Sequence, residues 1–146
     1  MHRAPLLQLV ESYKIRYPAE TETVSEYKDF VIANENCFER SLLEGHITCG
    51  AWILDGSGTK TLLTHHRKLN RWLQLGGHAD GDHDVHRVAA KEAQEESGIF
   101  TLELVSKDIF DIDIHKIPTR GDVPAHLPVS YTHLRAHETV LDLVCR

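Results

Sequence analysis

Across the N-terminal third of the chain, apolar side chains recur at helical spacing. Leu6, Leu9, Val10 and Tyr13 form one stripe that stops at Tyr17-Pro18, with Pro5 in a first turn where its missing N–H is harmless. Tyr27, Phe30 and Val31 form a second, behind Thr23-x-x-Glu26, which has capping-box spacing. Both stripes predict helices whose aromatic residues belong to the core. From His46 the period shortens. Ile47 to Leu54 predicts a strand, Asp55-Gly56-Ser57-Gly58 a turn, and Lys60 to His66 the returning arm of a hairpin. Trp72 to Leu75 predicts a third extended run, ending on Gly76-Gly77. The polar loop His78 to His83 leads to Asp84, an N-cap for a helix running to about Ser97, with Gly98 as its stop. Phe110, Ile112 and Ile114 alternate with Asp111, Asp113 and His115, which predicts a strand with one apolar and one polar face, closed by Pro118.

Strands around one strong central helix, preceded by two more helices, predict an α/β fold with a mixed sheet. The 146 residues suffice for one domain, which at this size buries roughly two thirds of its unfolded surface. With 41% hydrophobic and 26% charged residues, the composition is ordinary for a globular protein and argues against a disordered chain. No apolar run approaches the ~18 residues of a membrane span. The N-terminus lacks the apolar core and cleavage site of a signal peptide, so a cytoplasmic location without membrane attachment is expected. Sixteen Lys and Arg against 22 Asp and Glu give a net charge of −6, which argues against a nucleic-acid polymer as partner. A small phosphorylated ligand remains compatible, because a metal ion can bridge it to acidic groups. Cys37, Cys49 and Cys145 are odd in number and widely spaced, which suits buried thiols in a reducing compartment.

The chemically informative stretch is GGHADGDHDVHRVAAKEAQEESGI, from Gly76 to Ile99. On a helix advancing about 100° per residue, Glu92 and Glu96 share a face and Glu95 lies about 60° to one side. Val85, Val88 and Ala89 lie on that same side, so the acids continue the apolar stripe. Carboxylates crowded there repel one another and are costly to bury unless neutralised. A hard divalent cation such as Mg²⁺ is the natural partner. An isolated ExxEE is more often a solvated acidic face. Here the preceding Gly-Gly, which lets backbone approach a ligand closely, and the polar loop favour a site.

This segment resembles the signature of the Nudix hydrolases. In that pattern a Gly is followed after five residues by Glu, and after seven more by Arg-Glu-aliphatic-x-Glu-Glu-x-Gly-aliphatic. Gly77, Glu92, Glu95, Glu96, Gly98 and Ile99 fall at the expected positions, with Ala93 as a small substitute for the aliphatic residue. The wider run LLTHHRKLNRWLQLGGHADGD and the later DIDIHKIPTR and PAHL are similar to a bacterial branch of the family, so the likeness spans roughly residues 45 to 127. The resemblance implies a Nudix-type α/β/α sandwich. It also implies Mg²⁺ (or Mn²⁺)-dependent hydrolysis of a diphosphate bond in a nucleoside diphosphate linked to another moiety. Glu92, Glu95, Glu96 and the Gly76 carbonyl would hold the metal, with Glu95 or Glu92 as catalytic base, and homodimers occur among relatives. Two positions depart from the pattern, and a third, just before it, is a minor difference. His83 stands where the first Glu is expected, Lys91 replaces the Arg, and Leu75 replaces a frequent Pro. His83 and Lys91 cannot make the Glu–Arg pair that orients the helix acids, and Lys lacks the planar fork of Arg.

Several alternatives stay open at this level. His78, His83 and His86 with Asp80, Asp82 and Asp84 offer donors for Zn²⁺ or Ni²⁺, although the spacing fits no compact motif. His65, His66, Arg67, Lys68 and Arg71 either meet substrate phosphates or are surface charges of a hairpin; Arg67, Arg71 and His115 are the substrate-binding candidates. A catalytically inactive Nudix-like domain that binds a nucleotide or protein is the rival function. A Nudix-fold isomerase would need a cysteine–histidine segment that the surroundings of Cys49 do not supply. The organisation expected is a helical segment over 1–44, a core over 45–127 and an atypical tail over 128–146. From about Val129, PVSYTHLRAHETVLDLVCR resembles translated adapter or vector read-through, which would leave the domain truncated at its C-terminus. Its alternative is a terminal helix through Ala136, Val140, Leu143 and Val144.

Overall fold

The computed structural model describes residues 1–114 and 129–138. Two helices open the chain, α1 over Ala4–Arg16 and α2 over Thr21–Ala33, joined by a single 3₁₀ turn at Pro18–Glu20. Leu6, Val10 and Tyr13 of α1 and Val24, Tyr27 and Val31 of α2 are buried, as their spacing predicts, and Phe30 is half-buried. The capping box does not form. Because the 3₁₀ turn delivers the backbone directly into α2, Thr23 lies inside the helix, and the N-cap Glu20 makes no side-chain capping bond. Glu20 instead accepts a 2.5 Å hydrogen bond from the Tyr13 hydroxyl, and a Lys28–Glu11 ion pair also joins the two helices.

Strand β1, Thr48–Leu54, is buried along nearly its whole length, as a strand covered on both faces must be. It pairs in parallel with β7, Val129–Glu138, which also pairs antiparallel with β6, Leu102–Ile114. Against other stretches of β1 lie β2, Thr61–Leu62, and β5, Leu75–His78, both antiparallel. The result is a five-stranded mixed sheet, the α/β architecture that the element pattern implied. The tail segment 129–138 is thus extended and paired on both edges; Ala136 lies in this strand, while Val140, Leu143, Val144 and Cys145 lie outside the described residues, as does Pro118.

Two strand expectations change. The segment Lys60 to His66 does not return as one arm, because only Thr61 and Leu62 pair with β1. The chain then leaves to form a separate two-stranded ribbon, β3 (Thr64–His66) with β4 (Arg71–Leu73). In β6 the alternation breaks at a register shift between Ile109 and Asp111. The extra residue turns Phe110 outward, 38% exposed and stacked on Trp52, while Ile109 and Ile112 are buried.

One apolar cluster joins α1, α2, the Cys37–Phe38 turn, Ile47, Cys49, Ala79 and β6 to the first half of the third helix, α3, Val85–Ser97. A smaller one packs Ala93 of α3 on Ala51, Ile53 and Leu75. Arg16 fastens α1 to β6 through the Ile109 carbonyl at 2.9 Å and Asp108 at 3.0 Å. No helix among the described residues is long and apolar enough to cross a membrane.

Candidate functional site

The site is built where β5 passes under the last two turns of α3. Asp84 caps α3 as its position predicts: its Oδ1 accepts from the His86 and Arg87 amides, both at 3.1 Å. At the other end Gly98 adopts the left-handed conformation at φ 72° and stops the helix. Val85, Val88, Ala89 and Ala93 press this helix onto the sheet and so fix where Glu92, Glu95 and Glu96 emerge.

Gly76 and Gly77 lie inside β5, where a terminal position was expected, opposite Gly50 and Cys49 of β1. Their lack of side chains serves two contacts. A Cβ on Gly76 would sit 2.6 Å from the Cys49 carbonyl oxygen and 2.7 Å from the Gly50 Cα, so strand contact itself requires glycine there. A Cβ on Gly77 would collide with Oε2 of Glu92, so this residue makes the hollow that receives the Glu92 carboxylate. One helical turn further on, Glu96 Oε2 accepts a long hydrogen bond of 3.4 Å from the Gly76 amide. The two acids therefore contact successive residues of one strand.

Burial raises the Glu92 carboxyl above the usual range, and the charges of Glu95 and Glu96 raise it further, with Lys91 opposing. Lys91 stands 4.0 Å from Glu95, one turn away, in an exposed pair. His83 makes its ring contacts with the N-terminal part of the chain. Its ring lies 4.3 Å from that of His2 and 5.1 Å from that of Phe38. Among the described residues, no arginine forms a hydrogen bond or ion pair with Glu92, Glu95 or Glu96.

As the side chains stand, no three His, Cys, Asp or Glu among the described residues converge on one point. The donor chemistry nevertheless suits a hard cation: oxygen ligands on one helix arc, one seated in a hollow a Cβ would fill, and mutual repulsion that a positive charge would relieve. The rival histidine and aspartate site is not assembled, because the loop acids have other partners. Asp80 is held by Arg40 through two bonds of 2.6 and 2.5 Å, and Asp82 by Arg87 at 2.7 and 2.6 Å. These arginines hold both carboxyls below the usual carboxylate range. His86 Nε2 meets the Lys107 carbonyl at 2.7 Å, and burial holds His78 below the usual imidazole range.

Arg67 and Arg71 are exposed on the β3–β4 ribbon, whose strand Arg71–Leu73 leads through Gln74 alone into β5. His115 lies outside the described residues. Burial pushes the Cys37 thiol up to about 11 and the Cys49 thiol higher still, as expected of unreactive core cysteines. A cleft of about 740 Å³ opens between α1 and the first turn of α3, bordered by His2, Leu9, His83, Val85, Arg87 and Lys107. None of the three helix acids lines it.

Sequence reasoning missed Arg40, which pins the loop between β5 and α3 from 40 residues away in the chain. No local pattern marks such a partner. It also missed Arg87–Asp82, whose opposite charges across the N-cap were a readable signal. No family model matches this chain, and no curated protein matches it. Among solved structures, it resembles one described as the crystal structure of C. elegans Ap4A hydrolase. That likeness has 19% identity, 65% of this chain and 69% of the other covered, and a TM-score of 0.47, a level at which neither fold family nor activity transfers.

Proposed function

We propose that the chain is a Nudix-type hydrolase that cleaves the diphosphate bond of a nucleoside diphosphate linked to another moiety. The observation that supports this most is the seating of Glu92 in the Gly77 hollow, with Glu96 on the Gly76 amide and Glu95 beside them. Glu92, Glu95, Glu96 and the Gly76 carbonyl would hold Mg²⁺ or Mn²⁺. When bound, such an ion neutralises phosphate oxygens and lowers the pKa of a water. Glu95, an exposed acid beside Lys91, accepts the proton of the attacking water, with Glu92 as the alternative base. Pairing of β5 with β1 holds the Gly-Gly backbone beneath these acids, and α3 keeps the carboxylates aligned while charge moves between oxygens.

A second reading has its own observation. His83 packs on His2 and Phe38, and Lys91 lies near Glu95, so the pair that orients the acids in the family pattern is missing. That arrangement favours a catalytically inactive domain that retains nucleotide binding. Hydrolysis of a panel of nucleoside diphosphate derivatives with Mg²⁺, Mn²⁺ or chelator, beside Glu96→Gln, separates the two. The hydrolase reading expects metal-dependent turnover that falls by at least about 100-fold in the variant, the upper end for changes around a metal site. Binding without turnover in a folded protein identifies the inactive domain.

A further inference from the structure

The β3–β4 ribbon is unlike the rest of the surface. Every residue from His65 to Trp72 is exposed, and the Trp72 indole is 67% exposed. An indole this open has a ring face available for stacking by a planar group. Across the ribbon His65 pairs with Trp72, their rings 5.1 Å apart at 58°, so both lie on one face. His66 and Arg71 form the next pair and project from the opposite face. The connecting tip carries Arg67 and Lys68, and neither forms an ion pair with a described residue. From Gly56 to Ala79 the chain holds four Lys and Arg and no acid, although the whole chain carries −6. The positive charge on this segment is therefore segregated beside an open aromatic face.

We propose that this ribbon binds the nucleotide portion of a ligand, its base stacked on the Trp72 face beside His65 and its phosphates met by Arg67 and Lys68 at the tip. Aromatic faces accept any base, and unpaired cations select the anionic phosphates next to it. A single aromatic pair offers room for one base, where a strand reader needs successive platforms, and the net negative charge opposes a polymer. Trp72 is four residues before Gly76, at most about 13 Å along extended chain, so a nucleotide held here reaches toward the helix acids. The substrate class thus rests on the hydrolase reading, while binding by the ribbon does not.

The test is fluorescence titration of the full chain with ADP, adenosine and inorganic pyrophosphate in chelator, so that turnover plays no part. ADP is expected to quench the exposed indole and to bind more weakly as salt rises. Trp72→Leu should weaken ADP at least about fivefold, the low end for losing one stacked base, and leave pyrophosphate unchanged. Arg67→Gln should weaken both phosphate ligands, and Arg71→Gln, on the other face, should change ADP binding less. Isothermal calorimetry follows the Leu variant, and circular dichroism checks each fold. ADP affinity unaltered by Trp72→Leu, or a single-stranded oligonucleotide bound more tightly than ADP, overturns the proposal. Loss of turnover in Glu96→Gln with ADP binding intact leaves the ribbon site standing, and binding without any turnover in the parent chain removes the hydrolase reading alone.

Discussion

Two adjacent glycines have different physical tasks, and substitution separates them. Gly76→Ala drives a methyl into the backbone of β1, which cannot retreat without opening the sheet. A loss of about 1–3 kcal/mol in urea denaturation is expected, the range for overpacking a close contact. Gly77→Ala meets only the end of a Glu side chain, which rotates away. Its stability should stay within about 0.5 kcal/mol of the parent, while the metal-dependent turnover that the proposed hydrolase function requires should fall because Glu92 is displaced. Equal stability losses in the two would show that Gly77 also serves strand packing. The shared face of Glu92 and Glu96 was legible in the sequence, whereas the glycines were read there as room for a ligand and here meet β1 and Glu92. That Glu92 rests on Gly77 was not, because helix period gives angular position and says nothing of the strand beneath.

At the scale of elements, α3 was readable almost to the residue because its signals are local and agree. Asp84 caps it, an apolar stripe buries it, and Gly98 ends it. The start of α2 was misread because a 3₁₀ turn does the work assigned to Thr23. The contrast is testable. Asp84→Ala removes the acceptor of two amides and should cost about 1 kcal/mol. Hydrogen exchange should quicken first at His86 and Arg87. Thr23→Ala, in a helix interior, should be neutral or slightly stabilising. A Thr23 cost matching that of Asp84 would restore the capping box. The hairpin failed for a different reason: β propensity marks Lys60 to His66 as extended without saying which partner it takes, and the chain divides it between two sheets.

Over the whole molecule, what the sequence could not convey is long-range pairing: β7 between β1 and β6, and Arg40 on the loop that precedes α3. That second pairing gives the protein a defined acid response. Asp80 and Asp82 titrate below their ordinary value of 3.8, chiefly through hydrogen bonds from Arg40 and Arg87. A carboxyl whose folded pKa is depressed adds stability that is complete above its unfolded pKa and disappears as pH falls through the folded one. Both pairs therefore act fully from about pH 5 upward and fade as pH falls below the ordinary aspartate value. Because the pairs are partly exposed, each contribution is modest and screened by salt. Urea denaturation of the parent, Arg40→Ala and Arg87→Ala at several pH values reads this directly. The parent should exceed each variant by a constant margin between about pH 7 and pH 5, and that margin should shrink steadily as pH is lowered toward about 2 and the aspartates protonate. A margin that persists at pH 2 would mean that the arginines act through the packing of their stems. In that case the loop between β5 and α3 is fixed by contact, and its charges are incidental.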